Sequence, residues 1–220
     1  MPTRTLLLTG FEPFGDEVVN PSWTLAESLQ GHAVEGWRVE ALCLPCTFAG
    51  AARDLGAALR RHRPAAVLCL GLAAGRHELG LERVAVNLVD ARIPDNAGEQ
   101  PVDQPVVAGG PAAHFARLPL QAMVAAARQA GAPAGLSLSA GSYVCNHVFY
   151  TLLHTLRRQP GVAAGFLHVP LAEAPAAGQD PSRPWVPLAL QRAGLQAMLR
   201  VLMLGEGPIS PTMPGEGRLH

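Results

Sequence analysis

The amino-acid sequence predicts an α/β protein: a single three-layer α/β/α globule around a largely parallel, twisted sheet. Three observations carry that expectation. Short apolar runs alternate with helical patterns along the whole chain, the order that builds a sheet covered by helices. One run, Ala66 to Leu70, is continuously apolar and ends in Gly71, which suits a strand buried on both faces. The chain has 220 residues, 49% of them hydrophobic, enough for one sizeable core, and no internal repeat or linker divides it. The expected organisation is one domain over residues 1–204 and a flexible tail over 205–220, whose repeated Pro and Gly lack periodicity.

Taken in order, Thr5 to Thr9 is a short apolar strand that runs into the loop Gly10-Phe11-Glu12-Pro13-Phe14-Gly15. Asn20-Pro21 starts a helix, with Asn as N-cap and Pro at the first helical position, lasting to about Gln30. Trp37 to Leu44 alternates like a strand, and an alanine-rich helix follows from near Thr47 to about Arg63. After the strand at Ala66, residues Gly71 to Leu81 are expected as a loop and Val84 to Val89 as another strand. Ala91 to Leu118 is dense in Pro and Gly, a loop length that in a compact domain is usually functional or disordered. A helix from about Pro119 to Ala130 leads to the strand Ala134 to Leu138. Phe166 to Val169 closes a further apolar run, and Pro184 to Leu204 is the last helix.

Composition excludes several classes. Lys+Arg and Asp+Glu are both 17, so no net field attracts nucleic acid or an anionic membrane. The leucine run at Leu6-Leu7-Leu8 is too short for a signal peptide, and no apolar run approaches a membrane span. The expectation is a soluble, cytoplasmic protein. Four cysteines, Cys43, Cys46, Cys69 and Cys145, do not suggest a disulfide framework in a chain this long. Cys43-Leu44-Pro45-Cys46 has redox spacing without thioredoxin-like surroundings, and zinc would need two more ligands nearby. Gly71-Leu72-Ala73-Ala74-Gly75 lacks both phosphate-loop patterns, so a nucleotide site is not expected.

Chemistry concentrates in Ser139-Ala140-Gly141-Ser142-Tyr143-Val144-Cys145-Asn146-His147. Cys145, Val148, Phe149, Leu152, Leu153 and Leu156 recur on one face of a helix. Cys145 therefore sits in the first turn of a helix that begins just after a strand. Unpaired amides and the positive dipole end there favour a thiolate and could hold an oxyanion. A small apolar residue leading a buried stripe is the plainer reading. A thiolate nucleophile needs a base. His147 lies about 200° around the helix from Cys145, in line with Thr151, His154 and Arg158 on a face expected to be solvated. His32, His62, His77 and His220 stand in polar surroundings and read as surface, whereas His114, in the long loop, stays open. His168 ends an apolar strand, and ligand sites in open α/β sheets form at the carboxyl ends of strands. For the acid, Glu82, Asp90 and Asp95 all remain candidates.

With those residues in view, the chain resembles the pyroglutamyl peptidase I family of cysteine peptidases from Thr5 to about Leu204. The resemblance rests on Thr9-Gly10-Phe11-Glu12-Pro13-Phe14-Gly15 with Asn20-Pro21-Ser22, and on Leu81-Glu82-Arg83-Val84-Ala85-Val86-Asn87. It continues in Asp90-Ala91-Arg92-Ile93-Pro94-Asp95-Asn96, in the Cys145 stretch and in Phe166-Leu167-His168-Val169-Pro170. It implies removal of an N-terminal pyroglutamyl residue from blocked peptides by a triad on Cys145, His168 and Glu82, with no metal and no cofactor. It implies that Phe11 and Phe14 sandwich the lactam ring, that Arg92 lies near the catalytic centre, and that Asn20, Leu72 and Val144 belong to the substrate site. A homodimer or homotetramer is implied as well.

Two residues depart from the family pattern: Leu72 stands where Gln is common, and Gly80 where Ser or Thr usually precedes the acid by two positions. A pyroglutamyl terminus carries no charge, so an apolar slot with flat aromatic walls suits it. Two other functions stay open on the sequence. One is a thiol hydrolase of the same fold for another cyclic or blocked acyl group; the other is a non-catalytic binding protein, against which the intact candidate triad argues.

Overall fold

The computed structural model describes residues 3–15, 17–174, 180 and 182–205. The expected tail at 206–220, with His220, lies outside the described residues. A seven-stranded sheet runs through the middle, built from β1 (Arg4–Phe11), β2 (Ala33–Val34), β3 (Trp37–Leu44), β4 (Ala66–Leu72), β5 (Leu79–Glu82), β8 (Ala134–Ser137) and β9 (Ala163–Val169). Their order is β2-β3-β1-β4-β9-β5-β8. Strands β3, β1, β4 and β9 are mutually parallel, β2 is antiparallel to β3, and β5 and β8 run together against the direction of β9. A second sheet pairs β6 (Val84–Val86) with β7 (Ala113–Phe115).

Alternation along the strands sorts side chains into two cores, one on each face of the sheet. Leu6, Leu8, Leu68, Leu70, Leu167 and Val169 pack beneath helices α1 (Pro21–Glu27), α3 (Leu120–Gln129) and α5 (Leu188–Leu204). On the other face, Leu7, Val67, Cys69, Ala164 and Phe166 meet α2 (Phe48–His62) and α4 (Val144–Thr155). This is the three-layer arrangement expected. The helix starts are chemically marked. Asn20 accepts a hydrogen bond from the Ser22 amide with Pro21 behind it, and Thr47 accepts one from Gly50. Arg60, Arg61 and His62 occupy the last turn of α2, where cations suit the negative dipole end.

Several expectations need correction. Residues 79–82 are strand β5 rather than loop; Leu79-Gly80-Leu81-Glu82 has no β-branched residue and one glycine, so only pairing with β8 and β9 makes it a strand. The long segment 91–118 contains β7 and a bridge between Val89 and Gln104, and internal hydrogen bonds such as Asp95 to Glu99 fold it onto itself. The last helix starts at Leu188, not near Pro184, because 185 is engaged in a bridge with Leu171. The first helix stops at Glu27, and Val84 opens a strand that ends at Val86.

Candidate active site

His168 lies near the carboxyl end of β9, and the residues paired with it on both sides are glycines. Gly71 of β4 is its partner in the parallel ladder and Gly80 of β5 in the antiparallel one. In-register neighbours project to the same face, so the two missing side chains open space around the imidazole. Each space is filled from elsewhere. A Cβ on Gly71 would lie 2.9 Å from Cys145 Sγ, and one on Gly80 would lie 2.1 Å from Arg76 Nη1. The sulfur and a guanidinium thus stand over the two strands that flank His168.

Glu82 is two residues beyond Gly80 on β5 and therefore on the same face, the diagonal neighbour of His168. Its Oε1 accepts a hydrogen bond from His168 Nδ1 at 2.7 Å, in the fully buried interior of the sheet. That bond commits Nδ1 and leaves Nε2 as the nitrogen free to exchange a proton with a neighbour. Of the three acids open on the sequence, only Glu82 meets His168. Asp95 is buried but capped onto backbone, accepting from Phe48, Ala97 and Glu99 amides. Asp90 is exposed, and its main chain bonds Ser142.

Cys145 is the second residue of α4, whose N-cap Tyr143 makes no capping hydrogen bond with its side chain. The amides of the first turn are accordingly left for water or an anion. The route to this position differs from the strand-end juxtaposition that the sequence suggests. Strand β8 runs antiparallel to β9, so its carboxyl end is not beside that of β9. Residues 138–143 turn back, anchored by Asp90 and by Tyr143 Oη, which donates to the Pro94 carbonyl at 2.9 Å. They set the start of α4 over Gly71.

A cavity of about 580 Å³ opens beside the sulfur. Phe11, Phe14, Leu72, Tyr143, Val144 and Cys145 form its apolar wall, and Asn20, Cys46 and the Glu17–Arg183 ion pair also line it. Leu72 is the last residue of β4 rather than part of a loop. The first loop is held by Glu12, whose Oε1 accepts from the Cys46 amide and from Asn96, and by Ser22 accepting from the Phe11 amide. Asn20 is spent mostly on this scaffold: its Oδ1 accepts from Ser22 twice and its Nδ2 donates to the Glu12 carbonyl. Arg92, expected near the centre, is exposed and is not among the lining residues. Tyr143, which stacks against Phe14 at 5.5 Å, is a wall residue that sequence reasoning missed.

The other histidines are elsewhere. His114 pairs with His154 at 3.2 Å, about two and a half turns down α4 from Cys145. His147 does face away from Cys145, and its side of the helix is half-buried at His147, Thr151 and His154 and exposed at Arg158. It packs edge-on against Phe48 at 5.5 Å, its Nδ1 is buried without a hydrogen bond, and burial lowers its pKa from 6.5 to about 4.

Electrostatics at the site follow from burial opposed by close charges. Burial lowers the His168 pKa, the Glu82 hydrogen bond and charge raise it, Arg76 lowers it again, and the net shift is downward. Burial raises the Glu82 carboxyl, but the hydrogen bond and charge of His168, aided by Ser137 and Arg76, carry it below its ordinary value. Arg76 Nη2 reaches Glu82 Oε1 at 2.9 Å. The helix start predicts a thiolate at Cys145; burial first, then Cys46 and Glu82, push the thiol upward instead. Both shifts act against the charged forms of Cys145 and His168. Burial likewise raises the free thiols of Cys43, Cys46 and Cys69. Among the described residues no group of three or more His, Cys, Asp or Glu could hold a metal ion, and no helix is long and apolar enough to cross a membrane.

Comparison with known proteins places this arrangement. Residues 4–203 match the family model described as pyroglutamyl peptidase. A pyrrolidone-carboxylate peptidase of Klebsiella pneumoniae is 48% identical over 198 residues, covering 90% of this chain and 92% of its own. That of Chromobacterium violaceum is 54% identical over 167 residues, 76% of this chain and 78% of its own. Among solved structures, pyroglutamyl peptidase I from Bacillus amyloliquefaciens superposes with a TM-score of 0.88 at 37% identity, covering 96% of this chain and 100% of that one. A mutant pyrrolidone carboxyl peptidase from Pyrococcus furiosus gives 0.85 at 35% identity, covering 90% and 98%.

Proposed function

This chain belongs to the pyroglutamyl peptidase family and removes pyroglutamyl residues, and we propose that it does so through Cys145 as nucleophile, His168 as base and Glu82 as the carboxylate that orients His168. The observation that carries the proposal is the row Gly71–His168–Gly80, with Cys145 Sγ over the first glycine and Glu82 bonded to Nδ1 at 2.7 Å.

Each step follows from that geometry. His168 Nε2 takes the Sγ proton as sulfur attacks the carbonyl joining pyroglutamate to the next residue. With burial acting against the thiolate, proton transfer accompanies attack, and the imidazolium that forms is stabilised by Glu82. The carbonyl oxygen becomes an anion, which the free amides at the start of α4 are placed to receive; such donors are worth about 3–4 kcal/mol in related acyl transfers. His168 then returns its proton to the leaving amine, the C–N bond breaks, and a thioester remains on Cys145. Water, deprotonated by the same Nε2, hydrolyses it.

The cavity supports the substrate class. Phe11, Phe14, Leu72 and Val144 give it an apolar wall, in keeping with a cyclised terminus that has lost its ammonium, while Glu17, Asp180 and Arg183 also line it. The proposal extends to a cytoplasmic homodimer or homotetramer, an assembly that light scattering on the purified chain reads directly.

A pyroglutamyl-aminomethylcoumarin assay tests the mechanism. We expect release of coumarin by the wild-type chain, and rapid quenching with acid should trap a pyroglutamyl adduct that peptide mapping assigns to Cys145. Cys145→Ser is expected to retain only a trace of activity. An adduct on another residue, or robust turnover by Cys145→Ser, overturns the proposed nucleophile.

A further inference from the structure

Arg76 is unclaimed by the triad, yet its guanidinium touches three separate pieces of the site. Nη2 lies 2.9 Å from Glu82 Oε1, 3.0 Å from Ser137 Oγ and 3.2 Å from the Ser139 carbonyl oxygen. Nη1 fills the space over Gly80, where any side chain would collide with it. Glu82 is the acid of β5, Ser137 ends β8, and Ser139 opens the segment that turns back to α4. One side chain therefore joins the acid to the segment that delivers Cys145.

We infer that Arg76 is a positioning residue for this reaction: it pins the Glu82 carboxylate against His168 and locks both to the segment leading into α4. The inference rests on the triad proposed above.

The physical case has two parts. Glu82 is fully buried, and a carboxylate there needs a compensating charge to stay ionised while His168 is neutral. Arg76, partly exposed at its outer side, supplies it. With the resting charge of Glu82 already balanced, His168 stays unprotonated and able to accept the thiol proton. The second part is geometric. Glu82 Oε1 bears both bonds, whereas its Oε2 is buried without a hydrogen bond. The pull of Arg76 and His168 on this one oxygen sets the rotation of the carboxyl group.

The sign of the expected pH effect can be worked out from the groups facing His168. They are Glu82 from β5, Arg76 from the segment between β4 and β5, and Cys145 from α4, with Cys69 two residues before Gly71 on β4. Arg76 disfavours imidazolium, and Glu82 favours it. Removing the guanidinium leaves the carboxylate acting alone, so His168 should protonate at higher pH and the acid limb of kcat/KM should move upward.

The test is kcat and KM against pH on pyroglutamyl-aminomethylcoumarin for wild type, Arg76→Gln, Arg76→Ala, Arg76→Lys, Glu82→Gln and the Arg76→Gln/Glu82→Gln pair. Arg76→Gln keeps a hydrogen-bonding group without charge, and is the variant to rely on if Arg76→Ala melts below assay temperature. We expect kcat in Arg76→Gln to fall about tenfold to a hundredfold with KM little changed. Its acid limb should rise by about half to one pH unit. Arg76→Lys should bring the limb back while recovering only part of kcat, since a single ammonium cannot both bond these oxygens and fill the space over Gly80 as the two guanidinium nitrogens do. In the Glu82→Gln background the Arg76 change should add little, as expected for two groups acting through one contact. A wild-type limb and kcat in Arg76→Gln, or full additivity of the pair, overturns the inference. Failure of the triad itself reads differently: Cys145→Ser or His168→Ala would then remain active.

Discussion

Two histidines stand near Cys145, the proposed nucleophile, and they show what separates a candidate base from a ring that only packs. His168 on β9 and His147 on α4 both have pKa values lowered by burial. The Nδ1 of His168 has a carboxylate at 2.7 Å, while the Nδ1 of His147 is buried with no hydrogen bond and its ring rests on Phe48. A base must accept a proton during turnover and then be stabilised as a cation. His168 has Glu82 for that purpose. His147, two residues from Cys145 in sequence, has only the aromatic edge, so protonating it costs the fold and serves nothing. Proximity in sequence is a poor guide here; a partner on the far nitrogen is the better one.

The most direct way to break this comparison is by alanine. His168→Ala should lower kcat on a pyroglutamyl substrate by about 10²–10⁴-fold, the usual loss for a positioned base. His147→Ala should leave kcat within a few-fold at neutral pH, measured at a temperature where both variants are folded. The reverse ranking would make the helix-phase argument wrong.

A second effect belongs to His147 alone and is read in stability. Its pKa falls from 6.5 unfolded to about 4 folded. The folded form therefore binds fewer protons than the unfolded form between those values. The contribution is intact above pH 6.5 and is lost as pH falls from 6.5 through about 4. The full span is worth about 3 kcal/mol. Urea unfolding of His147→Phe between those pH values should show a flatter decline than wild type by up to that amount. An identical decline would mean that His147 finds a partner when protonated.

How much of this was legible in the sequence depended on whether the signal was local. The start of α4 could be read because Cys145, Val148, Phe149 and Leu152 carry their period with them, and Asn20-Pro21 announces α1 by its own chemistry. Strand β5 could not, since Leu79-Gly80-Leu81-Glu82 becomes a strand only between β9 and β8. The row Gly71–His168–Gly80 unites residues from three strands that are not consecutive in the chain, and no spacing encodes that register. Arg76 gave no signal of its own: it lies in a stretch that reads as loop, and Gly80, which leaves room for its guanidinium, becomes a strand glycine only in the folded sheet. Arg92 misled in the opposite direction, lying within a familiar motif yet standing exposed outside the cavity lining.

The smallest expected effect carries the same question into the cavity: whether a buried polar group there needs a side-chain partner. In the proposed mode the lactam sets its N–H and C=O next to Leu72, Phe11 and Phe14, none of which can hydrogen-bond through its side chain. If the ring depended on a side-chain partner at position 72, its absence would cost about 1–3 kcal/mol, roughly tenfold to a hundredfold in kcat/KM. Main-chain groups offer another source of partners, because Leu72 is the last residue of β4 and the ladder ends there. We therefore expect Leu72→Gln to change kcat/KM on a pyroglutamyl substrate by less than tenfold. The control is a prolyl analogue without the ring carbonyl, which an added amide should not favour. A gain above tenfold confined to the pyroglutamyl substrate would show that the lactam is left unsatisfied in this chain, as His147 Nδ1 is, and that the apolar wall is fitted to a different ring.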